Sequence, residues 1–300
     1  MFYETNIRRV EREERVAALI ALTPSESKRL IAKGVAALPE VRQALKRGII
    51  IVARGTTDAF VCEELTGDGI EHKGHFAAGF ICDGELSVTP ASKLMPVLVL
   101  RDGSRSDTPP ADALREFGEN DVSIKGANAI DADGNVGILA AGPDSGTIGG
   151  ILPTVMARHS TLICPVGLEK MIPSVPLACR ATGLLRFKYS TGVPVALIPA
   201  PNALAVTEIQ AFEMLTGVKA TAIAGGGIGG SEGTTVFSLE GDAAQIERTM
   251  DLVRSVKGEP AAGRPSSRVT PAAATLGYDA AEQWKVLAHD AGFTLPGVNA

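Results

Sequence analysis

The sequence predicts an α/β protein in which a mostly parallel sheet, covered by helices on both faces, precedes a smaller C-terminal unit. Short apolar segments of strand length alternate with helix-length segments over the first two thirds of the chain, which is typical of parallel sheets. The composition changes near residue 193, where a βαββα series begins that suits a ferredoxin-like domain. At 300 residues, two domains are expected rather than one.

Capping and turn residues set the helices and strands of the first part. Thr23 and Glu26 form a capping box around Pro24, and a second helix starts at Pro39 and ends before Gly48. The run IIIVA predicts a buried strand at 49–53, and a helix follows at 58–65. The other predicted elements are strands at 80–82, 97–100, 122–125, 136–140 and 161–166 and helices at 110–118 and 149–159.

The C-terminal series begins with the strand VPVALIPA at 193–200. A helix at 203–217, strands at 219–225 and 233–241 and a helix at 242–258 follow it. Residues 259–275 are rich in Pro, Ala, Ser and Arg and are predicted to form a linker, and a short helix at 279–292 carries Trp284. We therefore expect domains at 1–195 and 196–260, with the linker and terminal helix in 261–300.

Charge and cysteine spacing exclude several function classes. A net charge of −5 without a Lys/Arg-rich run argues against nucleic-acid binding. The four cysteines have no CxxC spacing, so we expect free thiols in a reducing cytoplasm and neither a disulfide framework nor an iron–sulfur cluster. The N-terminal segment is too charged for a signal peptide, and no later apolar run is long enough for a membrane span.

Two bends between a strand and a helix are candidate anion sites. At the first, Arg54, Gly55, Thr56 and Thr57 combine backbone amides, hydroxyls and a positive charge with the start of a helix. The second is GPDSGTIGG at 142–150, which offers Ser145, Gly146 and Thr147. The alternative, equally supported by the spacing of the first bend, is a plain turn in which Thr57 caps the helix.

Polar residues at two further strand ends are candidates for acid–base chemistry. The loop KGANAIDADGNVG supplies Lys125, Asn128 and Asp131, whereas its Asp133 is better explained by a hairpin turn with the following glycine. A calcium loop is disfavoured because a glycine stands where the bidentate glutamate is needed. After the strand at 161–166, Glu169 is a candidate base or nucleophile, and a surface pair with Lys170 is the alternative.

Metal and nucleotide motifs receive little support. His72 and His75 lack a third and fourth ligand, so we expect no metal and no other cofactor. The loop GGGIGGSEG at 225–233 contains both G-x-G-x-x-G and G-x-S-x-G, but a strand rather than a helix follows it, and both motifs require a helix there. A loop that covers a site and an idle hairpin loop remain equally possible interpretations.

Three segments carry a resemblance to a known superfamily. RGTTDAFVCEEL, SIKGANAIDADGNVG and LICPVGLEKMIPS, in this order, resemble the superfamily of ribose-5-phosphate isomerases, glucosamine-6-phosphate deaminases and CoA-transferases, and they are nearest to the LUD (lactate-utilisation) branch. The likeness covers roughly residues 25–195. It implies a Rossmann-like sheet and, as in CoA-transferases, a glutamate nucleophile, for which Glu169 is the candidate.

These observations predict an enzyme of isomerase, transferase or hydrolase type that acts on a small phosphorylated or carboxylated metabolite. We expect Arg54, the two bends and Asn128 to bind the anion, and Asp131, Lys125 or Glu169 to carry out acid–base chemistry. The alternative is a metabolite-binding or regulatory protein without catalysis. A homo-oligomer is also expected, with the C-terminal unit as a contact.

Overall fold

The computed structural model describes residues 1–8, 10–269, 284 and 288. Over these residues the chain is a mixed α/β protein with a six-stranded mixed sheet and eight α-helices. No helix of the described residues is long and apolar enough to cross a membrane. The predicted helix at 279–292, apart from Trp284 and Ala288, and residues 270–275 of the predicted linker lie outside the described residues.

The strands and helices follow one another along the chain with short connections. The strands are β1 (Val16–Leu22), β2 (Ile49–Val52), β3 (Gly79–Cys82), β4 (Glu85–Val88), β5 (Leu98–Arg101), β6 (Ser104–Arg105), β7 (Val122–Ile124), β8 (Ala129–Ile130), β9 (Val136–Ala140), β10 (Thr161–Pro165), β11 (Ala196–Pro199), β12 (Leu204–Val206), β13 (Lys219–Gly226) and β14 (Thr234–Gly241). The helices are α1 (Pro24–Ala37), α2 (Pro39–Lys46), α3 (Thr56–Thr66), α4 (Pro110–Glu116), α5 (Gly146–Arg158), α6 (Val175–Arg180), α7 (Glu208–Thr216) and α8 (Ala243–Val256).

The central sheet has the strand order β12-β10-β7-β2-β5-β6. Strands β12, β10, β7 and β2 are parallel, whereas β5 and β6 are antiparallel to their neighbours. The carboxyl ends of the four parallel strands therefore lie at one edge of the sheet. This edge is where ligands bind in open α/β sheets.

Helices cover both faces of this sheet, as the continuous apolar runs predict. Along β2, Ile49 and Ile51 pack on one face with residues of α4 and α5, and Ile50 and Val52 pack on the other with residues of α1, α2 and α3. Each strand residue points opposite to its neighbour, so a strand buried on both faces must be apolar throughout. All four residues of β2 are buried.

A separate antiparallel sheet has the order β1-β14-β13 and packs against α7 and α8. The strand β1 was not predicted, and it pairs with β14 over its whole length, from Val16 with Gly241 to Leu22 with Thr235. The helix predicted at 203–217 is shorter than expected. Residues Leu204–Val206 form β12, and α7 begins only after Thr207, whose side chain caps it in a capping box with Gln210.

Three predicted strands belong to sheets other than those expected. The strand at 136–140, expected in the parallel sheet, and the strand expected to open the C-terminal series form a third sheet of order β11-β9-β8. The predicted strand at 80–82 is one arm of the hairpin β3-β4. The left-handed residues Asp83 and Gly84 make its two-residue turn, and Asp-Gly between two strands is a typical sequence signal of such a turn.

Candidate active site

The first bend is a strand end, a tight turn and a helix start in direct succession. The β2 strand ends at Val52, Gly55 is the N-cap residue of α3, and Thr56 and Thr57 lie in its first turn. The amide of Ala53 still bonds to the carbonyl of Ile124 in β7, so the bend starts from an anchored strand end. The first amides of a helix have no partner within the helix and carry the positive end of its dipole.

A close approach explains the glycine at this bend. Gly55 has extended backbone angles that any residue can adopt, but a Cβ atom there would overlap Oδ2 of Asp58. Asp58 is fully buried, and both its oxygens accept from the amide of Gly126, at 2.8 and 2.9 Å. Desolvation raises the pKa of the Asp58 carboxyl to about 6, although Lys125 and the Gly126 amide oppose the shift.

Both bends line one cavity of about 720 Å³ at the carboxyl ends of β2 and β7. The second bend brings Ser145, Gly146 and Thr147, where α5 starts, to the same space as the first. Ser145 and Gly146 have φ angles of 60° and 58°, a left-handed turn into the helix that Gly adopts readily. The sequence-predicted site residues that line the cavity are Arg54, Gly55, Thr56, Thr57, Lys125, Asn128, Ser145, Gly146 and Thr147.

The charged residues of the cavity lining are all basic. They are Lys28, Arg54, Lys125 and Lys170, and no Asp or Glu stands among the described residues that line it. Burial lowers the pKa of Lys28, Arg54 and Lys125, because a charged group loses hydration free energy when it leaves water. Four cations beside two helix N-termini create a strongly positive space, which favours an anionic ligand.

The three lysines differ in how many of their N–H donors have an acceptor within the protein. Lys125 Nζ donates to the carbonyls of Arg54 and Gly126 at 3.0 and 3.1 Å and lies 4.0 Å from Asp58. Lys170 Nζ donates to the carbonyl of Ala127 at 2.9 Å, and Lys28 Nζ to that of Pro24 at 3.3 Å. Lys125 thus joins the two strand-end loops, whereas Lys170 and Lys28 keep donors for a ligand.

Thr57 carries an unpartnered polar group at the cavity wall. The residue is 2% exposed, and its Oγ1 has no hydrogen-bond partner among the described residues. A buried hydroxyl without a partner is unfavourable, and most such groups in native proteins are satisfied. A ligand oxygen in the cavity would supply the missing partner.

Neither of the two predicted catalytic carboxylates, Asp131 and Glu169, lines this cavity. Asp131 accepts from the amides of Val175, Asp133 and Asn135 and from the Asn135 side chain, which together make it the anchor of the turn before β9. Burial by itself would raise the pKa of Asp131, but these hydrogen bonds outweigh it and hold the pKa below its usual value. These contacts anchor the turn, and the predicted part of Asp131 in acid–base chemistry stays a prediction.

Glu169 is not among the residues that line this cavity. It lines a separate cavity of about 350 Å³ beside the glycine loop at 225–233, which joins β13 to β14. Its Oε1 lies 3.9 Å from Lys28 Nζ, so the nearby lysine is Lys28 rather than the Lys170 of the alternative interpretation. Its buried Oε2 has no partner among the described residues.

A second buried carboxylate near Glu169 was not predicted from the sequence. Glu208, the first residue of α7, is fully buried, and the amide of Leu168 donates to its Oε2 at 3.0 Å. Desolvation, followed by the charge of Glu169, raises the pKa of Glu208 to about 7. An acidic residue in the first turn of a helix is typical of a favourable dipole interaction, so the sequence offers no signal of this burial.

The two histidines are not arranged as a metal site. The ring centroids of His72 and His75 lie 5.5 Å apart, and His75 Nε2 accepts from the amide of Ser266. In the described part of the chain, no group of three or more His, Cys, Asp or Glu is placed to hold a metal ion.

The chain was compared with protein families, curated proteins and solved structures, and no match was found in any of the three comparisons.

Proposed function

We propose that the cavity binds a small phosphorylated or carboxylated metabolite. The observation that carries this proposal is the lining itself, in which Lys28, Arg54, Lys125 and Lys170 meet no Asp or Glu among the described lining residues. Burial has removed hydration from Lys28, Arg54 and Lys125, and the carboxylates nearest to Lys28 and Lys125 do not themselves line the cavity. An anion in the cavity would add a compensating negative charge.

The anion is proposed to bind between the two helix starts. The first turn of α3 offers the amides and hydroxyls of Thr56 and Thr57, and the first turn of α5 offers those of Ser145 and Thr147. Lys170 adds a charge whose donors are only partly used. This combination of helix amides, hydroxyls and a lysine is the chemistry that holds phosphate and carboxylate groups in proteins.

A second part of the proposal is that the protein is an enzyme with acid–base chemistry. The Asp58–Lys125 pair supports it, because a buried carboxyl whose pKa is about 6 stands 4.0 Å from a lysine whose pKa is lowered, and Lys125 lines the cavity. Pairs of neighbouring groups whose pKa values are both shifted are frequent at catalytic sites. The isomerase, transferase and hydrolase classes all use groups of this kind, and a protein that only binds the metabolite is the competing proposal.

We further propose that the central sheet has a Rossmann-like fold and that the sheet β1-β14-β13 belongs to a ferredoxin-like domain. Four parallel strands with helices on both faces and a cavity at their carboxyl ends support the first. Three antiparallel strands packed against α7 and α8 support the second. Membership of the isomerase and CoA-transferase superfamily, nearest its LUD branch, belongs to the same proposal and rests on the three quoted segments.

The proposal includes a reducing compartment and self-association. All four cysteines are free thiols, which favours the cytoplasm. Strand β13 is the outer strand of its sheet, and the nearby Ile223 and Ile228 are 54% and 88% exposed. Exposed apolar side chains at a sheet edge favour contact with a second copy. Sedimentation of the full chain as a monomer at all concentrations would contradict self-association.

A thermal-shift screen tests the anion proposal. Phosphorylated and carboxylated metabolites are each compared with the uncharged analogue that lacks the phosphate or carries an ester, at matched ionic strength. A ligand present at one hundred times its Kd stabilises the folded state by about 2.7 kcal/mol, which is readily seen as a higher Tm. The proposal expects shifts with anions only, and equal shifts with the neutral analogues would contradict it. Enzymatic turnover of a stabilising compound then separates the enzyme from the binding protein.

A further inference from the structure

The cavity has a second wall of different chemistry. Most of its large apolar residues come from β3, β4, β9 and the segment that leads into β11, whereas its cations come from α1 and from the loops after β2, β7 and β10. The apolar wall includes Phe80, Leu86, Val88, Leu139, Val193 and Val195. The lining is therefore divided by structural element into a cationic part and an apolar part.

The apolar wall is held in place by backbone pairing along the edge of β4 that faces away from β3. Leu86 accepts from the amide of Val193 at 2.8 Å, and a Cβ atom at Gly192, whose φ is 114°, would overlap the Leu86 backbone. Two residues further along the same edge, Val88 and Val269 exchange two backbone hydrogen bonds, at 3.2 and 2.9 Å. A wall fixed in this way is present before a ligand arrives.

The wall offers few free polar groups to a ligand. The one threonine beside Val88, Thr89, is 2% exposed, and its hydroxyl donates to the carbonyl of Ala77 at 2.6 Å. Val88 and Val193, which are 4% and 1% exposed, pack with Trp284 in one apolar cluster, and Leu86 and Val195 pack against it. This part of the cavity lining is therefore apolar and closely packed. Water against such a surface is displaced favourably by hydrocarbon.

The cavity is larger than an anionic head group alone requires. Its 720 Å³ equals the liquid volume of roughly 24 water molecules at about 30 Å³ each, far more than a bare phosphate or carboxylate fills. An anionic head at the helix starts would leave the apolar part of the cavity occupied by solvent. The ligand that matches both parts has an anionic head and an apolar body.

We infer that the ligand is an amphiphilic organic anion: a soluble phosphate monoester or carboxylate whose head carries a hydrocarbon chain or ring of several carbons. The inference rests on the proposed anion site for the head and adds the class of the body. Lys170, Lys28 and the two helix starts take the head, and the wall of β4, β9 and Val195 takes the hydrocarbon.

The test is a calorimetric titration of the wild-type chain with n-alkyl phosphates from methyl to hexyl. Burial of each methylene contributes about 0.8 kcal/mol, so the Kd is expected to fall about fourfold for each carbon added until the wall is covered. Inorganic phosphate supplies the head alone, and n-hexanol supplies the tail alone. Equal Kd values for methyl and hexyl phosphate would overturn the inference about the apolar body but would leave the anion site supported. If no phosphate and no matching carboxylate binds, the anion site and the inference are both overturned.

A matched pair of variants locates the tail. Val195→Thr keeps the side-chain shape but introduces a hydroxyl at the wall, so the ratio of the methyl to the hexyl phosphate Kd should fall severalfold. Val16→Thr, on β1 and outside the cavity lining, should keep the wild-type ratio. An unchanged ratio in Val195→Thr would overturn the assignment of this wall. Co-sedimentation with phosphatidate vesicles that matches hexyl phosphate binding would overturn the assignment to a soluble ligand.

Discussion

The amide of Gly126, at the end of one parallel strand, donates to both carboxylate oxygens of Asp58, in the first turn of the helix that follows the neighbouring strand. This contact fixes the loop after β7 against the start of α3, and Lys125 strengthens the junction by donating to the carbonyl of Arg54. The cavity wall is therefore built on a buried polar junction rather than on two independent loops.

Removal of Asp58 is expected to destabilise the fold strongly. In Asp58→Ala, the Gly126 amide and the buried ammonium of Lys125 both lose their carboxylate partner, and removal of one member of a buried pair typically costs about 3–5 kcal/mol. Asp58→Asn retains one acceptor oxygen and should cost less. Urea unfolding at pH 7 measures both variants, and a free energy of unfolding within about 0.5 kcal/mol of wild type for Asp58→Ala would refute the role of the junction.

Substitution of Gly55 should destabilise the protein through the same junction. A Cβ atom at Gly55 would overlap Asp58 Oδ2, which the Gly126 amide holds in place, so Gly55→Ala is expected to cost about 1–3 kcal/mol by overpacking. Gly69 is the matched control, because an added Cβ would meet no atom within 4 Å there. Equal Tm values for Gly55→Ala and Gly69→Ala would show that the close approach has no energetic weight.

Glu208 should make stability depend on pH. Its pKa is about 7 in the folded chain, against the ordinary glutamate value of 4.5, so between these two pH values the folded state binds more protons than the unfolded state. The free energy of unfolding must then fall as the pH rises from about 4.5 to 7. Glu208→Gln removes this contribution. The free energy of unfolding of the variant minus that of wild type should therefore increase from pH 4.5 to about 7 and stay constant above pH 7.

Urea unfolding from pH 4 to 8 measures this difference directly. Glu247→Gln, which removes an exposed carboxylate on α8, controls for the loss of one negative charge. A stability difference between Glu208→Gln and wild type that does not change with pH would show that Glu208 ionises equally in the folded and unfolded chain.

Thr57→Val separates ligand binding from stability. Valine has nearly the same shape as threonine, and the buried Thr57 hydroxyl has no partner among the described residues, so its removal should leave the unfolding free energy unchanged or higher. If the hydroxyl donates to a bound anion, affinity should fall by about 1.5–3 kcal/mol, or roughly tenfold to 150-fold. Loss of stability together with unchanged affinity would identify Thr57 as a structural residue only.

The local patterns of the sequence predicted the bends but not their surroundings. The run IIIV followed by Gly55 and two threonines indicates a strand, a turn and a helix start, and these are found as expected. Whether the bend at Ser145 reaches the same space depends on how α5 and β7 pack, which the sequence predicts only as alternation of strands and helices. The structure brings both bends to one cavity.

The missed features arise from long-range contacts. Strand β1 pairs with β14 more than two hundred residues later, and nothing in the local sequence AALIAL specifies that partner. Lys28 lies in a helix whose apolar pattern was recognised, but the side that faces the cavity is set by the packing of α1 on α3 and α7. The anchoring of a turn by Asp131 was also missed, although Asp followed closely by Asp-Gly is typical of a turn anchored by its own side chain. The part of Asp131 in acid–base chemistry stays a prediction.

Lys170 offers the sharpest test of the anion site, because it lines the cavity and donates to only one carbonyl, that of Ala127. Lys170→Gln removes a cavity charge, and Lys46→Gln, on the exposed side of α2, removes one elsewhere. Both variants and wild type are titrated calorimetrically with the anion that gives the largest thermal shift. We expect Lys170→Gln to bind the anion at least about tenfold more weakly than wild type, because it loses a charged hydrogen bond. Lys46→Gln should bind with the wild-type affinity. Equal affinities in all three proteins, with Lys170→Gln folded, would contradict the anion site.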